Sequence, residues 1–344
     1  MEISIEELDP TNDAQLAEWR TVRVETEAAE LYPDDPPAPV RELRHLLEGR
    51  TTERYVRGWL ARVDGEPVGE AVFEFETNDE NRHIASSEWI AVRPPFRRDG
   101  VADHLLRTVL STVVDDGITV LLVWAHERAP DCGKAWLERL GLVEATSERC
   151  SRLRIDDLDD ALVDQWLADG RDRADGYRVV QFQDRCPDEL MPAYLAAVAA
   201  MDDMPTDALD WQVAPADEAL IRSREAHWAA AGTRVARTLA LAPDGSGAGF
   251  SELFVNGFRP SLASQGDTGV VGGHRGRGLG RWLKAENLRL AQRLSSTFTT
   301  VETYNAQSNP WMLDINVAMG FRPYLVWRGF QGDARTALDR LTTP

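Results

Sequence analysis

The chain has 344 residues, with 57 acidic and 38 basic side chains, and therefore a net charge of −19 at pH 7. This acidic balance disfavours nucleic acid and anionic membrane surfaces as partners. The sequence has no apolar run of membrane-spanning length, and its acidic start lacks the basic and apolar parts of a secretory signal. We therefore expect a cytoplasmic protein of two domains.

The cysteines and histidines suggest neither a disulfide framework nor a metal site. The three cysteines are odd in number and far apart in the sequence, at Cys132, Cys150 and Cys186. This pattern predicts reduced, buried thiols. The six histidines show no metal-binding spacing, so we expect no bound metal.

Hydrophobic periodicity and turn signals divide the first half into strands and helices. Asn12 or Asp13 can cap the first helix, Asp64-Gly65 is a hairpin signal, and Gly141 is a helix C-cap. The predicted elements are a strand at 2–8, helices at 12–30 and 40–48, strands at 59–63, 68–75 and 83–92, a helix from 101, a strand at 118–124, a helix at 134–140, and a closing strand with a wide turn at 142–155.

A connecting helix at 156–169 and a polar stretch at 170–176 precede a second half in which the same order returns. Each half therefore follows the order β-α-α-β-β-β-α-β-α-β. In the second half the predicted elements are a strand at 177–182, helices at 187–201 and 216–231, strands at 233–242, 248–255 and 262–271, a helix after residue 278, a strand at 296–304, a helix at 310–319 and a strand at 321–330.

A glycine-rich basic segment at 272–281 separates the strand at 262–271 from an amphipathic helix. Helix N-termini offer unpaired N–H groups, glycines let the backbone close around oxygens, and arginines add charged donors. The segment therefore predicts an anion-binding loop, with Arg275, Arg277, Arg281 and Lys284 as a basic cluster. One alternative is a solvated loop that only caps the helix. A dinucleotide-binding Gly-x-Gly-x-x-Gly loop fits poorly, because Arg281 stands where its last glycine is required.

The order Arg275-x-x-Gly278-x-Gly280 resembles the pyrophosphate loop of the GCN5-related N-acetyltransferases, the GNAT family. The first half carries the same order as Arg97-x-x-Gly100-x-Ala102. A Gly-Leu pair at 141–142 returns as Gly-Phe at 320–321, at an almost constant offset. Nearly the whole chain thus resembles a tandem GNAT protein.

This resemblance implies an α/β (α+β) fold of two GNAT domains, each a mixed, mostly antiparallel, splayed sheet flanked by helices. The domains are expected at 1–155 and 177–344, with a connecting helix and linker at 156–176. The implied activity is acetyl-CoA-dependent N-acetylation of a small-molecule amine by direct transfer. We expect a monomer whose halves form a pseudo-dimer, or a homodimer.

The resemblance also implies which residues of the second half contact acetyl-CoA. They come from the strand end, the loop, and the asparagines after the next strand. The expected cofactor-binding residues are Val270, Val271, Arg275, Gly276, Arg277, Gly278, Leu279, Gly280, Arg281, Asn305, Asn309 and Asn316. By the same resemblance, the N–H of Val270 or Val271 would stabilise an oxyanion. From the residues alone, Asn305 could equally be a turn residue and Asn309 a helix N-cap.

Transfer to an amine also needs a base that removes a proton, directly or through water. Asp267 and Glu252, on consecutive strands, are the candidate catalytic residues, although each could be a solvated strand residue. Many GNAT enzymes carry a tyrosine four residues before the Gly-Phe pair, where it protonates the departing thiolate. Here Asn316 stands at that position. A thiolate needs little protonation at neutral pH, so this departure does not exclude catalysis.

The first half contains a second possible cofactor site, with Glu88 as a possible base. The acids Asp99 and Asp103 would oppose a pyrophosphate there, so we expect this half to be structural or degenerate and the second half to be catalytic. The residues of this second possible site are Ile90, Ala91, Val92, Arg97, Arg98, Asp99, Gly100, Val101 and Ala102.

Two other interpretations stay open. The same site could transfer a different acyl group, or the chain could be a non-catalytic protein that binds acyl-CoA or a partner. The missing tyrosine in both halves, with Leu137 in the first, favours the non-catalytic interpretation. The intact loop at 275–280 together with Asn305 favours the enzyme.

Overall fold

A computed structural model describes residues 2–128 and 133–342, with the side chains of residues 28–30 left out. Its first half forms β1 (Ile3–Glu7), α1 (Asp13–Glu30), α2 (Val40–Glu48), β2 (Arg54–Val63), β3 (Glu66–Glu76), β4 (Ile84–Val92), α3 (Val101–Val113), β5 (Val120–His126), α4 (Lys134–Arg139) and β6 (Val143–Arg154).

The second half follows the same plan and adds one helix at its end. Its elements are α5 (Asp160–Arg173), β7 (Arg178–Gln183), α6 (Met191–Val198), α7 (Glu218–Ala230), β8 (Arg234–Leu241), β9 (Gly247–Val255), β10 (Leu262–Val270), α8 (Leu279–Leu294), β11 (Thr300–Ala306), α9 (Pro310–Met319), β12 (Arg322–Asp333) and α10 (Ala334–Thr342).

The chain forms two compact units whose boundaries differ from the predicted domains. Unit 1 comprises Met1–Glu148, Thr206–Gln212 and Leu325–Pro344, and unit 2 comprises Arg149–Pro205 and Val213–Tyr324. The boundary between the units falls inside β6. This segment is one continuous strand and lacks the wide turn that the sequence suggested. The second half of β12 and α10 complete unit 1, which local sequence patterns did not indicate.

Unit 1 contains a mixed sheet that is mostly antiparallel. Strands β1 to β4 pair as antiparallel neighbours, β4 and β5 pair in parallel, and Trp327–Asp333 of β12 runs antiparallel to β5. Helices α3 and α10 pack with one core, which includes Leu105, Leu110 and Leu338, and α1 packs into another through Leu16 and Trp19. This confirms the predicted fold class.

Unit 2 repeats that arrangement. Strands β7 to β10 are antiparallel neighbours, β10 and β11 pair in parallel, and β6 lies beside β11, where the Ile155 N–H donates to the Thr299 carbonyl over 2.9 Å. The buried residues Ala285, Leu288 and Ala291 of α8 pack in one core, and Tyr194 of α6 packs in another. Helix α8 is thereby fixed along the sheet.

Two cysteines are described, Cys150 and Cys186, and both are buried thiols outside any disulfide. Burial and the nearby Glu225 carboxylate raise the pKa of the Cys186 thiol to about 11, which makes it unreactive at neutral pH. Cys132 lies outside the described residues. No helix in the described ranges has the length and apolar character needed to cross a membrane.

Two glycines test how closely the helices of unit 2 are packed. Gly170 of α5 faces α8, and Gly280 of α8 faces α9. A Cβ at Gly170 would lie 2.3 Å from Cγ of the buried Trp282, whereas one at Gly280 would lie 3.5 Å from Cδ1 of Ile315. Gly170→Ala is expected to lower the free energy of unfolding by about 2 kcal/mol through overpacking. Gly280→Ala should raise it by about 0.5 kcal/mol through helix propensity. Urea denaturation measures both, and equal effects would contradict the close approach at Gly170.

Candidate active site

The glycine-rich loop of unit 2 joins the end of β10 to the start of α8. A short 3-10 turn at Gly272–His274 is followed by Gly276 and Gly278, whose φ angles of 79° and 80° lie in the left-handed region. Gly278 is the N-cap residue, and no side chain caps this helix. No atom lies within 4 Å of a Cβ placed on Gly276. The loop therefore leaves open space at a helix start whose first N–H groups have no intrahelical acceptor.

Three arginines lie at this loop and at the first turn of α8. Arg275 is exposed but anchored to the end of β10, because its Nε donates to the Val270 carbonyl over 3.0 Å, and its Nη2 pairs with Asp203 at 2.6 Å. Arg277 and Arg281 lie over aromatic rings, 5.7 Å from the centre of Tyr177 and 5.4 Å from that of Trp166. Arg275 thus shapes the loop, while Arg277 and Arg281 add positive charge at the helix start.

Strands β10 and β11 diverge beside the loop. They pair in parallel only from Leu262 with Thr300 to Ser264 with Glu302, although β10 continues to Val270 and β11 to Ala306. The diverging ends create a cleft between two strands that are neighbours at their other ends. This is the splayed geometry that the family resemblance implied, and its open end lies next to the anion-binding loop.

Hydrogen bonding separates the two valines that were predicted to face the cleft. The Val271 N–H donates to the Ala248 carbonyl over 3.0 Å, and is therefore engaged by β9. Backbone groups alternate between the two edges of a strand, so the N–H of Val270 points toward the β11 side. Val270, rather than Val271, is placed to donate into the cleft.

The first-half loop has the same geometry. Arg97 donates from Nε to the Val92 carbonyl over 2.8 Å, and Gly100 has a φ of 80° at the N-cap of α3. Arg98 takes the left-handed conformation, with φ of 74°, that Gly276 takes in unit 2. Ile90, Ala91 and Val92 end β4, and β4 pairs with β5 only from Ile84 to Ser86. A second cleft and loop are therefore present in unit 1.

The two acids that were expected to oppose an anion in unit 1 differ in environment. Asp103 accepts hydrogen bonds from Trp136 Nε1 at 2.6 Å and Arg139 Nη2 at 2.8 Å, so Arg139 compensates its charge. Asp99 is exposed within the loop. Of these two acids, Asp99 is therefore the one whose charge would oppose a pyrophosphate at the start of α3.

Glu252 is a member of a buried ion pair. Its Oε1 accepts from Arg237 Nε at 2.6 Å and from the Tyr194 hydroxyl at 2.7 Å. Burial and the Glu252 carboxylate raise the pKa of Tyr194 well above its usual value, so the phenol remains a donor. Arg237 is itself only 1% exposed. Glu252 is therefore fixed as the counter-ion of a buried arginine, a poor arrangement for a base that must take up a proton.

Asp267 lies at an irregularity in β10. The pairing with β9 shifts between Gln265 and Thr268, so that Gly266 and Asp267 together stand opposite the single residue Glu252. Such a bulge re-aims side chains near a sheet edge. Asp267 is exposed, whereas Glu252 is buried. Of the two predicted bases, Asp267 has the access to solvent that proton transfer requires.

The three predicted asparagines have different roles in the structure. Asn309 caps α9 by accepting from the Met312 N–H over 3.2 Å, as the cap rules alone indicate. Asn316 is buried, and its Nδ2 donates to Oδ1 of Asn305 at 2.7 Å. Asn305 stands near the end of β11, in the part that has diverged from β10. Asn305 is thus near the cleft and Asn316 lies behind it.

Lys284 was grouped with the loop arginines, and this was wrong. It is only 1% exposed and its Nζ donates to Oδ1 of Asn316 at 2.5 Å. Burial lowers the pKa of Lys284 to about 7. Its helix register, six positions into an amphipathic helix beside Leu283, was the signal that could have placed it inside. The counterparts of Lys284 and Asn316 in unit 1 are the buried Leu106 and Leu137.

Comparisons with known proteins agree with this geometry. Residues 19–138 match the family model described as Acetyltransferase (GNAT) family. Three solved structures are similar: a tandem GNAT protein from the clavulanic acid biosynthesis pathway (23% identity, 97% of this chain and 99% of that chain, TM-score 0.76), a GCN5-related N-acetyltransferase from Sphaerobacter thermophilus (15%, 96% and 96%, 0.70), and a GCN5-related glucosamine N-acetyltransferase region of a fungal multi-domain GH3 β-N-acetylglucosaminidase (13%, 96% and 38%, 0.69). Comparison with curated proteins gave no match.

The first half therefore carries a GNAT domain, and the chain as a whole has the fold of a tandem GNAT protein. The family model matches the half whose loop contains Asp99, and the second half shares its fold and loop geometry.

The two predicted bases can be separated by their effects on stability. Glu252→Gln removes the nearer of the two carboxylates that pair with buried Arg237, leaving Glu225 at 3.4 Å, and is expected to lower the free energy of unfolding by about 3 kcal/mol. Asp267→Asn changes an exposed side chain and should alter it by less than about 0.5 kcal/mol. Urea denaturation at neutral pH measures both. A stable Glu252→Gln variant would show that the ion pair is dispensable and would return Glu252 to the list of bases.

The double substitution Lys284→Leu with Asn316→Leu copies the apolar pair of unit 1 and should stabilise unit 2. Between pH 7 and 10 the unfolded chain binds a proton on Lys284 that the folded chain has lost, so wild-type stability should rise with pH over that window. The double variant should be more stable than wild type by about 2 kcal/mol at pH 7, with a flatter pH dependence. Denaturation at pH 7 and pH 9 measures this. A variant that is less stable at pH 7 would mean that the polar pair stabilises the fold.

Proposed function

We propose that this chain is an acetyl-CoA-dependent N-acetyltransferase that acts on the amine of a small molecule, with its active site in unit 2. The observation that carries this proposal is the open, uncapped start of α8 beside the cleft between β10 and β11. An anion-binding helix start next to two separated strands suits a donor with a pyrophosphate and a long arm ending in a thioester. The expected setting is the cytoplasm, without nucleic acid or membrane partners.

The loop residues would hold the pyrophosphate. The N–H groups at the start of α8, from Leu279 to Arg281, would donate to its oxygens, and Arg277 and Arg281 would balance its charge. The arm would follow β10 past Val270, with Asn305 as a further polar contact. These contacts would place the thioester carbonyl beside the acceptor amine, and such positioning supplies a large part of the rate enhancement of a group transfer.

Asp267 is the base that we propose for the reaction. It is exposed at the bulge of β10, and a carboxylate there can take a proton from an ammonium group directly or through one water. The N–H of Val270 would stabilise negative charge on the carbonyl oxygen as the amine attacks. Glu252 keeps Arg237 and Tyr194 in place behind the bulge and so acts as a positioning residue.

Unit 1 would provide a second coenzyme A site without catalysis. Its loop reproduces the Arg275, Gly276 and Gly278 geometry, but Asp99 adds a negative charge where a pyrophosphate would lie. The apolar Leu106 and Leu137 also replace the polar pair that lies behind the unit 2 cleft.

A protein that binds acyl-CoA without turnover is the second candidate. The engagement of Glu252 by Arg237 and the asparagine at position 316 favour it, because both remove groups that could exchange protons. The two candidates differ in one measurement, the release of free thiol from acetyl-CoA with a panel of small amines. Propionyl-CoA in the same assay tests whether the site prefers a different acyl group.

Calorimetric titration of acetyl-CoA into wild type, Gly278→Glu and Gly100→Glu tests the cofactor assignment. A carboxylate at either helix start should repel the pyrophosphate and weaken binding at that loop by at least about a hundredfold. We expect unit 2 binding to be lost in Gly278→Glu and retained in Gly100→Glu.

Two substitutions serve as controls for backbone strain. Gly232 and Gly117 have positive φ angles of 67° and 97°, like the loop glycines, and a Cβ there would meet no atom within 4 Å, but they lie away from both loops. Gly232→Glu and Gly117→Glu should therefore leave acetyl-CoA binding unchanged. Loss of binding only in Gly100→Glu would move the site to unit 1, and no binding by wild type would refute the proposed activity.

A further inference from the structure

Three buried or half-buried side chains of unit 2 form a continuous hydrogen-bond chain. Lys284 Nζ donates to Asn316 Oδ1 over 2.5 Å, and Asn316 Nδ2 donates to Asn305 Oδ1 over 2.7 Å. Lys284 and Asn316 are each 1% exposed, and Asn305 is half-buried. The chain thus runs from a buried amine on α8, across α9, to the end of β11.

Every hydrogen bond in this chain has the same direction. The Lys284 amine donates a hydrogen bond to the Asn316 amide oxygen, and the Asn316 NH2 donates a hydrogen bond to the Asn305 amide oxygen. Because the oxygen of Asn305 accepts from Asn316, its remaining group is an NH2, which can only donate. Hydrogen bonds aligned in one direction polarise one another, so the chain strengthens Asn305 as a donor.

The chain ends at the cleft. Gly280 and Lys284 are four residues apart and share one face of α8. A Cβ on Gly280 would meet Ile315 Cδ1 at 3.5 Å and Val270 Cγ2 at 4.0 Å, so this face looks toward α9 and the end of β10. Asn305 lies beyond the last pairing of β11 with β10, at Glu302. Its NH2 therefore lies near the cleft between the separated strands.

Unit 1 shows that the fold does not require this polarity. At the same positions its helices carry Leu106 and Leu137, both buried in the core. A buried lysine without a carboxylate partner is costly, and burial lowers the pKa of Lys284 to about 7. Among the described residues, the neighbours of this amine on α9 and beyond are the Asn316 amide and the Phe321 ring, whose centre is 5.7 Å away. Selection for stability alone would favour the leucine pair.

We propose that Lys284, Asn316 and Asn305 together stabilise negative charge on the coenzyme A sulfur as it leaves. The proposal rests on the acetyl transfer proposed above. The amine nitrogen forms a bond to the carbonyl carbon, the carbon–sulfur bond breaks, and the sulfur departs with the electron pair as a thiolate. Asp267 or water takes one proton from the ammonium group before the nitrogen attacks, and the second N–H proton passes to water as the amide forms. Asn305 donates a hydrogen bond to the sulfur without transferring a proton, and Lys284 and Asn316 are positioning residues behind it.

The pKa of the coenzyme A thiol in the complex tests this inference without an acceptor. Ultraviolet difference titration follows thiolate formation on coenzyme A bound to the full chain. In wild type the bound thiol should titrate about one pH unit below free coenzyme A, and Lys284→Leu with Asn316→Leu should remove that shift. With an acceptor, the same variant should lower kcat about tenfold while the KM for acetyl-CoA changes little.

Arg289→Gln is the matched control, since it removes a basic side chain from α8 at a partly exposed position paired with Asp160 and Asp164. It should leave the thiol shift intact. Lys284→Met, which keeps both asparagines, is the second variant, to be used if the double variant does not fold. It should also reduce the shift in the thiol pKa. An unshifted thiol in wild type, or a shift that survives in both lysine variants, overturns the inference. Failure of coenzyme A to bind wild type would overturn the proposed function as well.

Discussion

The separation of two parallel strands, β10 and β11, is the constraint on which the unit 2 site depends. Parallel strands normally satisfy each other's backbone groups along their whole length, and these two stop doing so after Ser264 and Glu302. Their free ends can remain apart because other elements hold them. The β9 strand pairs with β10 as far as Val270, and the hydrogen bond from the Val271 N–H to the Ala248 carbonyl holds the residue that follows β10. The cleft is therefore built into the sheet.

The loop that follows depends on the same strand. Arg275 reaches back to the Val270 carbonyl, so the position of the helix start is tied to the end of β10. Left-handed glycines turn the chain without placing any side chain over the first N–H groups of α8. Unit 1 reproduces each of these features, and Arg98 shows that one of the two left-handed positions accepts a non-glycine residue. What differs between the units is the chemistry behind the cleft, where a polar chain replaces two leucines.

Local patterns predicted much of this fold from sequence. The helices α2 and α9 were placed at their observed ends, and the Asn309 cap was foreseen, because caps and breakers act within a few residues. The repeated motif located both loops. The pairing of Arg237 with Glu252 was also within reach, since the hairpin register of β8 and β9 sets them opposite each other.

Features that depend on contacts distant in sequence were missed. The α10 helix, the membership of Thr206–Gln212 in unit 1 and the boundary inside β6 all follow from packing against remote strands. Lys284 is a basic residue close in sequence to the loop arginines, and only its packing against Asn316 in the folded protein shows that it is buried. A sequence identifies such a residue by type, whereas its environment decides whether it binds a phosphate or ends inside the protein.

Unit 1 is assembled from three separate chain segments, and this has a consequence for the order in which the two units can fold during synthesis. Most of unit 1 emerges from the ribosome first, yet the strand that pairs with β5, at Trp327–Asp333, is synthesised after all of unit 2. Until then the edge of β5 is an unpaired strand, which is a site for incorrect association. Unit 2 can complete its own sheet earlier, since its segments end at Tyr324. The first part of the chain to be translated is thus the last to be finished.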